Sequence, residues 1–401
     1  MQNGILSGIR VIDCGTYIAG PASATVMSDF GAEVFKIENP DGGDLWRLFP
    51  HLPGTPKSKL NYAWVLTGRN KKSVALDLGS PEGYDALIRL VKTADVFVTN
   101  YQAQLLTKFR LNWDDLRAVN DRLIFAHLTG YGEKGDDADL PAFDALAYWA
   151  RSGLMTSVTG RDGTPSGPRP GIGDHPTATA LFSAIMLGLY DRERTGRGAK
   201  VSTSLMASGA WAHGCDLQAK MFGAEFPQLR GPHPINPLSS GYITRDGKLF
   251  LLVQLDPEHE FPRLCTMLGA PDLATRAEYA TAPARSKNRD ALNAEISAFT
   301  EKKSTDTWVS ELNAAGVPCG PIYSIDQVFE DAQVKHLGIA QDVPNTENRH
   351  IRLVGQPVTL SRTPSKMAAR PPEFGEQTDE VLSEFGFGSE EIADLRLRKV
   401  V

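Results

Sequence analysis

The sequence predicts an α/β protein in which a large Rossmann-like domain with a mostly parallel sheet is joined to a smaller α+β domain. Three observations lead there. Short apolar runs alternate with helix-length segments through the first half, and a parallel sheet covered on both faces is the arrangement that buries both kinds. Near Gly223 the pattern breaks into Pro- and Gly-rich connections followed by a hairpin signal. At 401 residues the chain is also too long for one ordinary core, so two or three domains are expected.

Gly8 to Asp13 reads as a buried strand, Pro21 to Phe30 as a helix, and Ala32 to Ile37, after Gly31, as the second strand of a βαβ unit. Ser73 to Leu76 is the next strand. Ser80-Pro81-Glu82 then starts a helix whose Tyr84, Leu87, Ile88 and Val91 recur at helical spacing. Asp95 to Val98 and Leu123 to Leu128 add strands. The apolar run from Ala178 to Tyr190 makes a buried helix, stopped by Thr195-Gly196-Arg197-Gly198, and Lys200 to Ser204 follows as a strand. Gly241 to Thr244 and Lys248 to Val253 form the hairpin through Arg245-Asp246-Gly247, with helical stretches to about Val328. A Pro-rich extended part, Arg362 to Pro372, precedes an acidic helix pair at Thr378 to Phe385 and Ser389 to Leu395. The expected boundaries are 1–222 for the N-terminal part of the large domain, 223–330 for the small one, and 331–401 for a segment returning to the large one.

Composition removes several function classes. With 41% hydrophobic and 22% charged residues the chain is a soluble globular type, and a net charge of −6 offers no basic footprint for nucleic acid or an anionic membrane. Cys14, Cys215, Cys265 and Cys319 form no C-x-x-C pair and read as reduced, mostly buried thiols. The eight histidines have no metal-ligand spacing. The start lacks a secretory pattern and the longest apolar run is too short and interrupted to span a bilayer, so a cytoplasmic location is expected.

Gly130-Tyr131-Gly132-Glu133-Lys134-Gly135 matches G-x-G-x-x-G after a strand, yet an acidic loop, Asp136 to Pro141, follows where a dinucleotide site needs a helix start. Neither a P-loop nor G-x-S-x-G occurs. Arg69-Asn70-Lys71-Lys72 reads either as a phosphate contact or as a solvated turn. The most informative segment is Gly171-Ile172-Gly173-Asp174-His175-Pro176, with one carboxylate between a glycine turn and a helix start. Asp174 falls at or beside the N-cap, where free N–H groups and the helix dipole favour its ionised form by about 0.3–1 kcal/mol. A carboxylate so placed is either a plain cap or a nucleophile. His175 is either a substrate-orienting group or a solvent-facing residue of the first turn, and Tyr148, Trp149 and Met155 are either an acyl pocket or core.

Several stretches, in order, carry a resemblance: Leu6 to Asp13, Ala19-Gly20-Pro21, Phe30 to Glu38, Asn70 to Ser73, Ala94 to Asn100, Gly130-Tyr131-Gly132, Gly173-Asp174, Thr195 to Gly198, Gly316 to Pro321 and Gly375 to Leu382. Together the chain resembles the class III CoA-transferases, the family of formyl-CoA transferase and crotonobetainyl-CoA:carnitine CoA-transferase. The resemblance implies that Asp174 is the nucleophile, forming a mixed anhydride with the acyl group and then an aspartyl-CoA thioester. It implies coenzyme A lying along Ile18, Ala19, Leu76, Asn100, Tyr101, Gln102, Lys108, Phe143 and Asp144, with Lys108 a phosphate contact. Asn39, Gly79 and Pro141 stand where formyl-CoA transferase has basic residues. No metal or prosthetic group is implied; the partners are an acyl-CoA and a small carboxylic acid, with no membrane or nucleic acid, and the assembly is an interlocked homodimer. The racemase branch has a His before the position of Asp144, whereas Phe143 stands here and cannot take a proton. Asn236 to Gly241 replaces the glycine loop of formyl-CoA transferase. Thr129 to Gly135, Asp139 to Asp144 and Pro170 to His175 look most like the branch acting on cinnamoyl-CoA, phenyllactate and 2-hydroxyisocaproate. The alternatives are an α-methylacyl-CoA racemase or isomerase and a non-catalytic acyl-CoA binding protein.

Overall fold

The computed structural model describes residues 4–158, 164, 166–226, 236–253, 257–343 and 351–401. The chain divides into two compact units, one of residues 1–157, 167–223 and 338–401, the other of residues 158–166 and 224–337. Part of the Pro- and Gly-rich connection expected after Gly223, residues 227–235, lies outside the described residues.

The first unit is built on strands β1 (Arg10–Asp13), β2 (Glu33–Glu38), β3 (Lys71–Ala75), β4 (Val96–Thr99), β5 (Ile124–Thr129) and β6 (Ala199–Ser204). They form one parallel sheet in the order β3-β2-β1-β4-β5-β6. Successive side chains alternate between the faces, and both faces are covered. Ile12, Phe35, Phe97 and Phe125 enter one buried cluster, Val11, Val34, Val96 and Ile124 the other.

Helices α1 (Ala19–Asp29), α2 (Tyr62–Gly68), α3 (Pro81–Val91), α4 (Ala103–Lys108), α5 (Trp113–Arg117), α6 (Leu154–Ser157), α7 (Asp174–Thr195), α8 (Leu205–Ala212) and α9 (Gly214–Met221) connect the strands. Ser80 caps α3 by accepting from the Gly83 N–H, as its sequence position predicts. Gly196 ends α7 at φ 74°, a left-handed conformation that glycine adopts without strain. With 22 residues α7 is about 33 Å long. No described helix is long and apolar enough to cross a membrane.

The run Arg69 to Lys72 is neither a phosphate contact nor a solvated turn: Arg69 and Asn70, before β3, turn to Asp29, and because β3 begins two residues earlier than expected Lys71 and Lys72 lie in it and reach Asp13 and Glu33. Arg69 is buried against Asp29 at 2.7 Å and Lys72 meets Glu33 at 2.9 Å. Lys71 is sealed inside, 2.8 Å from Asp13. Lys36, equally buried, lies 2.8 Å from Asp44 and 3.8 Å from Asp13 and donates to the Gly15 carbonyl. Burial opposes charge on Lys36 and Asp13 alike, yet their partners outweigh it, holding the ammonium above and the carboxyl below their ordinary values.

The chain's last segment seals the free edge of β3. The Ser73 N–H donates to the Gln377 side chain at 2.9 Å and the Ala75 N–H to Thr378 Oγ1 at 3.0 Å, while the Gly375 N–H donates to Ser73 Oγ at 2.8 Å. The strands β10 (Ala340–Asp342) and β11 (Arg352–Val354) of this unit pair antiparallel, and the terminal helices α16 (Thr378–Glu384) and α17 (Ser389–Leu397) add Val381, Leu382, Ile392 and Leu395 to the core.

The second unit carries the expected hairpin as β7 (Ser239–Ile243) and β8 (Lys248–Leu252), with β9 (Cys319–Pro321) added antiparallel to β8. Tyr242, Leu249 and Leu251 face its core, to which α10 (Pro257–Met267), α12 (Arg289–Thr300) and α13 (Thr305–Ala314) add Phe261, Ile296 and Trp308, while α11 (Ala282–Lys287) sets Arg285 over the Phe261 ring. Short helices α14 (Ile325–Val328) and α15 (Ala332–His336) follow. All four cysteines are free; Cys14 and Cys265 are buried, but Cys319 is half-buried and Cys215 exposed, so burial holds for only half of the thiols.

Removing one partner of a buried ion pair leaves an uncompensated charge. Asp13→Asn, which takes the carboxylate from both Lys36 and Lys71, is expected to cost about 3–5 kcal/mol, read as a lower midpoint in urea unfolding with an unchanged slope.

Candidate active site

The strand order reverses its direction of growth between β1 and β4, the switch point beyond whose carboxyl ends doubly wound sheets form their ligand-binding crevice. Asn100 follows β4 and clasps the loop after β1: its Oδ1 accepts from the Thr16 N–H at 2.8 Å and its Nδ2 donates to the Thr16 carbonyl at 2.9 Å. Ile18 and Ala19 are buried at the start of α1, on the same loop. Gln102 donates to the Asp139 carbonyl at 3.0 Å. Tyr101 turns its hydroxyl inward to hydrogen-bond the Cys14 thiol, which burial pushes up to about 12.

Leu76, Lys108 and Phe143, also expected along coenzyme A, have distinct surroundings. The Leu76 side chain is sealed in the core and its N–H donates to the Glu38 carbonyl at 2.9 Å. Lys108 is exposed at the last residue of α4, 5.2 Å from the Phe109 ring centroid. Phe143 is exposed and meets Tyr17 edge-on at 5.7 Å. Tyr17 is a residue that the sequence does not single out. It is held at φ 62°, uncommon for a bulky side chain, while its N–H donates to Asp44 Oδ1 at 3.1 Å. Asp44 itself is tied to Lys36, a pairing that no local pattern announces.

Asp174 opens α7 directly after the N-cap Gly173, and Pro176 sits in the first turn. The two glycines before it have different reasons. Gly171 has φ +92°, where a side chain would strain the backbone. At Gly173 the constraint is space, since a Cβ would lie 2.6 Å from Cγ of Tyr148. Tyr148 is thereby core and site wall at once, whereas Trp149 and Met155 are half-buried. It belongs to a π-helical turn, Ala145–Ala150, that begins directly after Asp144. Asp144 is buried, and its Oδ2 accepts from the Gly171 N–H at 3.0 Å and the Gly173 N–H at 3.1 Å.

The preference of the helix start for an ionised Asp174 is outweighed. The surrounding protein first, and the Asp144 charge second, push its carboxyl up to about 7, although solvent still reaches part of the side chain. His175, exposed in the first turn of α7, is held below the usual imidazole value by the surrounding protein and then by Arg69, with Asp144 opposing. The arrangement therefore holds, near neutral pH, a carboxyl group that is both available as an anion and more basic than an ordinary aspartate.

A family model described as CoA-transferase family III matches residues 6–378. The chain is 34% identical to succinate–glutarate CoA-transferase of Agrobacterium fabrum, over 94% of this chain and 95% of that one. It is 30% identical to (R)-2-hydroxy-4-methylpentanoate CoA-transferase of Clostridioides difficile, over 99% of each. It is 32% identical to cinnamoyl-CoA:phenyllactate CoA-transferase of Clostridium sporogenes, over 98% and 97%. Among solved structures, a CAIB/BAIF family protein from Brucella suis matches with a TM-score of 0.83 at 28% identity, covering 96% of this chain and 100% of that one.

A carboxyl held at about 7 in the folded protein and at 3.8 when unfolded keeps a proton that the unfolded chain releases, so stability falls as pH rises between those values. The gap sets a ceiling of about 4 kcal/mol, lowered by the solvent that reaches the group. Asp174→Asn is expected to be more stable than the parent by about 1–3 kcal/mol at pH 8 and equal to it near pH 4, measured by urea unfolding at both pH values.

Proposed function

Because this chain belongs to CoA-transferase family III, we propose that Asp174 is the nucleophile through which it moves coenzyme A from an acyl-CoA thioester to a free carboxylic acid. The carboxylate attacks the thioester carbonyl, the carbon–sulfur bond breaks, and coenzyme A leaves as thiolate from an aspartyl–acyl anhydride. The thiolate then attacks the aspartyl carbonyl and expels the donor's acid, giving an aspartyl-CoA thioester. The acceptor carboxylate reverses both steps and frees Asp174, with no net gain or loss of protons. Splitting the exchange into covalent steps at a held carboxylate makes each one easier than direct transfer. The observation that carries this reading is Asp174 itself, presented by a fixed glycine turn at the head of α7 with its basicity near neutral.

In this reading Ile18, Ala19, Asn100, Tyr101 and Gln102 form the crevice wall along which coenzyme A runs, and Lys108 offers a phosphate contact at its outer end. The exposed Phe143 ring, set against Tyr17, carries no exchangeable proton, which favours transfer over racemisation. The relatives include enzymes named for succinate and glutarate, for phenyllactate and for 2-hydroxy-4-methylpentanoate, at 34%, 32% and 30% identity. A panel holding succinate, glutarate, phenyllactate and 2-hydroxy-4-methylpentanoate with their CoA thioesters is the matching substrate screen. Leu187 and Tyr190 on α7, Trp211 on α8, Met221 on α9 and Phe222 just after it expose large apolar side chains, which supports a second copy of the chain as their cover. The succinyl-CoA–L-malate enzyme of Chloroflexus aurantiacus includes a beta subunit 31% identical to this chain, so light scattering on the purified protein separates homodimer from mixed assembly. The site of action is read as the cytoplasm.

Hydroxylamine added during turnover is expected to convert Asp174 into a hydroxamate, found by peptide mass spectrometry. Asp174→Ala is expected to lose at least about 10³-fold in kcat. Transfer that survives in this variant with no hydroxamate in the parent rules out the aspartyl route. In the parent, kcat/KM is expected to rise with pH through about 7, as the carboxyl loses its proton.

A further inference from the structure

We propose that Asp144 is a positioning residue for Asp174 and not a contact for coenzyme A: one of its carboxylate oxygens gathers both main-chain N–H groups of the turn that presents the nucleophile. The inference rests on Asp174 being that nucleophile. Asp144 is 5% exposed, and the same Oδ2 takes the Gly171 and Gly173 N–H groups at 3.0 and 3.1 Å. Between those glycines Ile172 projects outward, so the turn is closed around the carboxylate from inside. A glycine-flanked turn has little stiffness of its own, and both donors would be orphaned in the interior without Asp144. They are also occupied, so neither N–H is free to receive the oxyanion of the thioester.

The same carboxylate places a second negative charge beside Asp174, which opposes loss of its proton. The other charged neighbours do not supply such a charge. His175 follows Asp174 on α7, and Arg69 acts on His175. Asp29, the one ionisable side chain on α1, is paired with Arg69, and on β5 and β6 His127 and Lys200 are both paired with Glu133. Tyr148 presents a ring to Gly173. Asp144 thus fixes where the nucleophile points and, through its charge, how basic it is.

Two substitutions separate these roles. Asp144→Asn keeps an amide oxygen to accept both N–H groups but removes the charge. Its kcat should stay within about tenfold of the parent while the acid limb of kcat/KM moves to lower pH by about half a unit or more. Asp144→Ala removes the acceptor as well, and should lower kcat about 10²-fold with KM for acyl-CoA changed less than about threefold. A raised KM with kcat intact would identify a coenzyme A contact and overturn the proposal. A pH profile of Asp144→Asn superimposable on the parent's would overturn the part assigned to its charge, and, where Asp144→Ala fails to fold, a raised KM with kcat intact in Asp144→Asn would overturn the positioning role. Asp174→Ala run alongside keeps the two readings apart: activity there sinks the nucleophile, whereas loss of activity there with kcat of Asp144→Ala equal to the parent's sinks only the positioning role.

Discussion

Two lysines sealed inside the first unit fix where the loops around the crevice lie. Each buried ion costs several kcal/mol to desolvate, and only close, well-directed partners offset that. Lys71 is held by Asp13 and by the Pro21 carbonyl at 2.7 Å; Lys36 is held by Asp44, Asp13 and the Gly15 carbonyl. These contacts join β1, β2, β3 and the first turn of α1 in one charge-balanced knot. Asp44 in turn receives the N–H groups of Tyr17 and Trp46, and Asn100 closes on Thr16. Moving any of these partners would strand a charge in the interior. The crevice wall is consequently preorganised before any ligand arrives.

A similar contest of terms sets the chemistry at Asp174. The helix terminus favours the anion by about 0.3–1 kcal/mol, a surface magnitude that fades within a turn. Desolvation by the surrounding protein works the other way and is reinforced by Asp144; a carboxyl raised from 3.8 to about 7 reflects up to about 4 kcal/mol. Burial wins. An ordinary aspartate is ionised but weakly nucleophilic at pH 7, whereas a group tuned close to the working pH keeps a large anionic fraction with greater basicity. The site gives up folding stability for that property, as strained or desolvated functional groups commonly do.

What was legible in the sequence was local. Alternating apolar runs located the strands of the parallel sheet, Ser80 and Gly196 marked helix ends, and the glycine pair before Pro176 pointed to Asp174. Features set by residues distant in the chain were not legible. Lys71 reads as surface charge until β3 is paired to β2, and its partner Asp13 is 58 positions away. Asp144 lies 27 positions from Gly171, so nothing near it shows that its carboxylate turns inward to that turn. The left-handed backbone of Tyr17 is invisible for another reason: tyrosine has no preference for it, and only the tertiary contacts enforce it. The sign of the Asp174 shift failed likewise, since desolvation belongs to the packed protein and the helix dipole alone could be inferred beforehand.

The closure of β3 by Gly375, Gln377 and Thr378 joins positions about 300 residues apart. During synthesis the first six strands leave the ribosome long before those residues exist, and a whole second unit is translated in the interval. For that time the sheet presents an unpaired parallel margin to other nascent chains. Non-local closure of this kind slows folding and prolongs exposure to strand-to-strand association. Synthesis of Gly375 to Thr378 is thus also the event that protects the sheet, and chaperone dependence would concentrate in the stretch of translation before these residues appear.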